Sequence, residues 1–88
     1  MFPIRALAEA LDRKVPTIRS WERKGFLPQA RVRAPRVDGI LGHRLYSRAF
    51  IEGLQEIAEQ ERLYEVGVEI ATTTFPARAV ALMEKTNG

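Results

Sequence analysis

Arginine and lysine are the side chains in this sequence best placed to do chemistry on a partner, and they are unevenly spread. Residues 1–48 hold eleven of them (Arg5, Arg13, Lys14, Arg19, Arg23, Lys24, Arg31, Arg33, Arg36, Arg44 and Arg48) against four acids, a local excess of +7. Residues 49–88 hold three basic groups against seven acids, an excess of −4. A guanidinium pairs with phosphate oxygens and can bridge O6 and N7 of guanine, while threonine and serine suit a phosphate or a thymine methyl. A basic half joined to an acidic half therefore describes either a polyanion-binding face with something else behind it or two solvated faces of unlike charge.

Catalytic chemistry has little to build on. The chain has no cysteine, which removes disulfides, cysteine-type zinc sites and thiolate nucleophiles. His43 is its single histidine, so neither a multi-histidine metal cluster nor a paired catalytic histidine can form around it. The close carboxylate pairs fall on one acidic helix face with nothing to raise a pKa, and no Gly-rich phosphate loop is present. We expect no enzyme, no cofactor and no metal. The 88 residues, 45% of them hydrophobic, are enough for one small domain with its own core. No stretch approaches the roughly 18 apolar residues of a membrane span. The opening MFPIRALAEALDR mixes acids into its apolar residues, unlike a signal peptide. These features give the expectation of a soluble, cytoplasmic protein.

The elements that must position the basic groups follow from periodicity. Ile4, Leu7, Ala8 and Leu11 share one helical face after Pro3, and this first helix should end near Asp12 or Arg13. Pro16 is tolerated only in a first turn, so a second helix starts near Val15. Gly25 stops it, after Arg23 and Lys24, and Pro28 prevents its resumption. Val15, Ile18 and Trp21 form its apolar stripe. Pro16, Ser20 and Arg23 point the other way, with Thr17, Arg19 and Lys24 on the flanks. Two short helices about three residues apart make a helix-turn-helix candidate. Residues 31–47, RVRAPRVDGILGHRLYS, lose the helical period and read as a two-stranded ribbon around an Asp38-Gly39 turn, or else as an unstructured linker. Ser47 can cap a long third helix over 48–65, with Phe50, Ile51, Leu54, Ile57, Ala58 and Tyr64 inward and acids outward. Gly53 in mid-helix suggests close packing at that point. Residues 70–74 are β-prone or a loop, and a last helix capped by Thr74 follows, with Pro76 in its first turn.

Helix, tight turn, helix, ribbon, helix is an order with a resemblance. Ile4 to Leu11, then Thr17-Ile18-Arg19, then Trp21-Glu22-Arg23-Lys24-Gly25-Phe26-Leu27-Pro28, then Gly42-His43-Arg44-Leu45-Tyr46-Ser47, resembles the MerR-type winged helix-turn-helix over residues 4–57. The resemblance implies a mostly α fold with a small β-wing, here followed by a short C-terminal helical segment. It implies that the second helix enters a DNA major groove and the wing meets the flanking backbone or minor groove. MerR regulators, phage excisionases and the DNA-binding domain of some phage terminase small subunits share this class. MerR regulators carry a long dimerisation helix and an effector domain beyond the wing. Here only residues 66–88 follow, with a Gly67 break, so a full effector-sensing regulator is not expected. The stretch from Pro28 to Gly42 is longer than usual for the family.

The expected DNA-contacting residues are Lys14, Thr17, Arg19, Ser20, Arg23 and Lys24 from the second helix and its start, and Arg31, Arg33, Arg36, His43 and Arg44 from the wing. Lys14 and the N-terminus of the second helix form an anion site aimed at a phosphate. Arg33, Arg36 and Arg44 suit phosphates or the minor groove. Arg19 could instead pair with Glu22 or a third-helix acid, and Arg44 with an acid on a helix. His43 serves as a wing hydrogen-bonder. Trp21 belongs to the core, holding the second helix onto the first, with base stacking as the alternative. Tyr46 packs in the core with its hydroxyl free, as the family's matching tyrosine implies.

The expected division is a DNA-binding domain over 1–66 and an extension over 67–88 that serves as an oligomerisation or partner surface. The leading expectation is sequence-specific double-stranded DNA binding by a small phage-type regulator or excisionase, in a bacterial or phage-infected cell. It would act as a homo-oligomer or as cooperative copies on DNA, with an integrase or RNA polymerase as possible partner. A packaging role beside a packaging ATPase, and a protein-interaction adaptor without DNA binding, are the competing expectations.

Overall fold

The computed structural model describes residues 1–30, 32–33 and 44–86, with the backbone alone for Val32, Arg33 and Arg44. Strand β1 (Phe2–Pro3) leads directly into helix α1 (Ile4–Ala10), and helix α2 (Val15–Arg23) follows. Strands β2 (Val32–Arg33) and β3 (Arg44–Tyr46) precede helix α3 (Arg48–Gln60). A 3-10 turn (Ile70–Thr72) and helix α4 (Phe75–Thr86) complete the chain. The fold is mostly helical with a small antiparallel sheet, a winged helix-turn-helix.

The sheet has one more strand than the expected ribbon. Its order is β1-β3-β2, with Phe2 opposite Tyr46, Pro3 opposite Leu45, Val32 opposite Leu45 and Arg33 opposite Arg44. A two-residue strand pressed against a helix start carries no period of its own, so nothing in the spacing announces β1. The expected Asp38-Gly39 turn lies outside the described residues.

Helices α1, α2 and α3 end in the same way. In each, one residue turns into the left-handed region and the next folds its N–H back to a carbonyl five residues earlier: Arg13 to Ala8, Phe26 to Trp21 and Leu63 to Ala58. The left-handed residues are Asp12 (φ 52°), Gly25 (φ 82°) and Arg62 (φ 58°). Gly25 does this without strain, and aspartate tolerates it better than most residues. Arg62 has neither advantage, which is why the third helix was expected to run to 65 and instead stops at Gln60. The residue after the turn, Leu63, is buried (3% exposed) against the core.

The core gathers Leu7, Ala8 and Leu11 of the α1 segment, Ile18 of α2, Tyr46 of β3, and Phe50, Ile51, Leu54, Ile57 and Ala58 of α3. Phe75, Ala79 and Met83 of α4 join the same cluster. Ser47 Oγ accepts the Phe50 N–H at 3.1 Å, the expected cap of α3. The cap of α4 differs from expectation. Thr73 Oγ1 accepts the Phe75 N–H (3.2 Å), while the Thr74 hydroxyl donates to the Glu61 carboxylate. Thr74 instead contributes its carbonyl, which accepts the Arg78 N–H at 3.0 Å. Gly53 lies against α4: a Cβ there would stand 2.6 Å from Leu82 Cδ2. No described helix is long and apolar enough to cross a membrane.

Candidate nucleic-acid interface

The basic face begins at the turn between α1 and α2. Lys14 precedes the first turn of α2, and no side chain caps that helix start. The Thr17 and Ile18 N–H groups return to the Lys14 carbonyl, and Pro16 in the first turn has no N–H to satisfy. The Lys14 side chain is exposed at this helix start.

Along α2, burial separates two faces. Ile18 is fully buried, and Glu22, one turn on, is buried beside it. Pro16, Arg19 and Arg23 are exposed on the opposite side, with Thr17 and Ser20 half-buried at its edges and Lys24 exposed beyond the helix end. Arg19 replaces Ser20 on the outer face, while Pro16 and Arg23 keep their expected places. Among the described residues, no hydrogen bond or ion pair engages the side chains of Lys14, Arg19, Arg23 or Lys24. The described ion pairs lie elsewhere: Arg5–Glu9, Arg48–Glu52, Arg62–Glu65 and Arg78–Glu61. The alternative in which Arg19 pairs with Glu22 or a third-helix acid is therefore not realised among them. Arg31, Arg36 and His43, and the side chains of Arg33 and Arg44, lie outside the described residues. Strand pairing brings the Arg33 and Arg44 backbones opposite one another in the ribbon.

Two aromatic residues make contacts that the spacing did not announce. The Tyr46 hydroxyl is not free: it donates to Glu22 Oε1 at 2.7 Å in the core, and the ring stacks on Phe50 (6.1 Å, 12°). A buried hydroxyl without a partner is costly, and the carboxylate one helical turn from Ile18 supplies one. Trp21 is half-buried against the core cluster, as expected, and its ring also meets Phe75 of α4 at 6.2 Å. Arg13 lies over that indole at 5.9 Å and donates to the Leu63 carbonyl, joining the α1–α2 turn to the end of α3. Glu22 was missed as a buried residue because a glutamate is ordinarily solvated. Its helical phase with Ile18 was the available signal.

Tyr64 closes the same corner, donating to the Ala10 carbonyl at 3.1 Å. Burial, aided by the Glu59 charge, pushes its hydroxyl above the usual tyrosine range, partly opposed by Arg13. Among the described residues, no three His, Cys, Asp or Glu side chains are grouped to hold a metal ion.

An open basic face on the second helix of a helix-turn-helix, with an antiparallel ribbon beside it, defines a winged-helix nucleic-acid-binding architecture. A family model described as MerR HTH family regulatory protein matches residues 2–71, and the chain belongs to this family of DNA-binding helix-turn-helix regulators. No curated protein and no solved structure matches the chain.

Proposed function

We propose that the chain binds double-stranded DNA with the outer face of α2 in the major groove and the β2–β3 ribbon on the flanking backbone or minor groove. The observation that carries this reading is the set of exposed cations Lys14, Arg19, Arg23 and Lys24, none of them paired among the described residues. An arginine left without an acid on a helix's outer face is available to phosphate or guanine. Thr17 and Ser20 flank it, and Arg31, Arg33, Arg36, His43 and Arg44 supply the ribbon's contacts. Its role is that of a small regulator of the phage or mobile-element kind, such as an excisionase. A single module of this size buries only about 600–1,000 Å² on DNA, so it acts in several copies or with a partner.

The test is selection of a preferred duplex from a randomised pool, followed by Arg23→Ala. The variant should lose about 1–3 kcal/mol on the selected duplex and much less on scrambled ones. An equal loss on every sequence would make Arg23 a phosphate contact. A pool that shows no preference would remove the sequence-specific reading.

A further inference from the structure

Glu22 is the charged residue that the core takes in among the described residues, at 7% exposure. It belongs to α2, and the Tyr46 hydroxyl that donates to it at 2.7 Å belongs to β3, 24 positions along the chain. Tyr46 is itself 1% exposed and is held from its other side by Phe50 of α3. A carboxylate removed from water is expensive, and apolar residues of similar volume fill such places at no loss of stability. Stability alone therefore does not call for a glutamate here. What the carboxylate adds is direction: a hydrogen bond fixes spacing and angle between two elements that apolar contacts would leave free to slide. The elements it joins are the helix with the open basic face and the middle strand of the sheet. Through β3 the pair also holds β2, by way of Val32 opposite Leu45 and Arg33 opposite Arg44.

We infer that Glu22 and Tyr46 are positioning residues that set the ribbon's place relative to the outer face of α2, so that both reach one duplex together. The inference rests on the DNA-binding reading above. Neither side chain need touch DNA. Arg19 and Arg23 share a helix with Glu22, and Arg44 lies two residues before Tyr46 on β3. A ribbon tilted away from α2 keeps its own pairing but loses its phosphates.

Three variants separate aim from folding. Tyr46→Phe keeps the ring and its stacking but removes the donor. Glu22→Leu removes the acceptor, and Glu22→Gln keeps an acceptor oxygen for the tyrosine. Each is titrated by fluorescence anisotropy against the duplex selected for the natural chain, across a salt series, with circular dichroism to establish folding. Tyr46→Phe and Glu22→Leu should bind about ten-fold more weakly, and their log K against log salt should flatten by about two, the slope of two lost phosphate contacts. Glu22→Gln should retain most of the affinity. In an Arg33→Ala, Arg36→Ala background the Tyr46→Phe loss should shrink, because two of the contacts it misaims are already gone. A loss that persists undiminished in that background would overturn the inference, as would natural affinity and slope in Tyr46→Phe. A Tyr46→Phe chain that no longer folds would assign the pair to holding the core and would overturn it too. If the natural chain binds no duplex even at low salt, the DNA-binding reading fails and takes this inference with it.

Discussion

Trp21 carries its chemistry on two sides, an indole face under the Arg13 guanidinium and an edge near Phe75. Half-buried, it should contribute less than a fully enclosed aromatic. Trp21→Ala is expected to cost about 2–3 kcal/mol in urea unfolding, below the roughly 3–5 kcal/mol of a fully buried ring. A variant of unchanged stability that has lost DNA binding would favour base stacking by the indole. Tyr64 makes a pH prediction. Its pKa is raised in the folded chain, chiefly by burial. The folded state then holds its proton more tightly than the unfolded chain, so the contribution is complete below the ordinary value of about 10 and is lost as pH rises through the higher folded value. Tyr64→Phe should remove the part of the alkaline destabilisation that belongs to this residue, seen as a shallower fall of melting temperature at high pH. An unchanged alkaline fall would show that Tyr64 does not contribute. At this scale the sequence was legible where helical phase sufficed, as for Ile18. It was legible for the burial of Tyr46 but not for its hydrogen-bond partner, which lies 24 positions away, a separation that no local pattern encodes.

Elements are held here by their ends as much as by their faces. Gly25 takes φ 82°, so a side chain at this position is strained even though space is open around it. Gly25→Ala should cost about 1 kcal/mol or more, read by chemical denaturation, and should loosen the end of α2 next to Lys24. No cost would mean that the left-handed turn is not kept in solution. Gly53 offers the opposite case, a helical glycine whose missing Cβ makes room for Leu82. Gly53→Ala gains about 1 kcal/mol of helix propensity and loses a similar amount by displacing Leu82, so its net effect on the natural chain should be small. In a Leu82→Ala background the same substitution should stabilise by about 1 kcal/mol. Equal effects in both backgrounds would contradict the close α3–α4 contact. The close packing was readable from a glycine inside a strong helical pattern. The end of α3 was not, because Arg62 gives no compositional sign of a left-handed turn.

The whole molecule joins a basic first half to an acidic second half through one core. Phe75, Ala79 and Met83 of α4 lie in the same cluster as Ile18 and Leu7, so the acidic half also holds the helix that carries the basic face. The charge division, the helix-turn-helix and the existence of the last helix were all legible from residue types and spacing. The contact of Trp21 with α4, the β1 strand and the Glu22–Tyr46 bond were not, since each depends on how distant segments meet. The most direct test of the account is duplex DNA binding by fluorescence anisotropy over a salt series. If α2 and the ribbon together neutralise about six phosphates, log K should fall against log salt with a slope of roughly −5. Absence of binding at low salt, or binding with no salt dependence, would contradict it and leave the basic face without a polyanion.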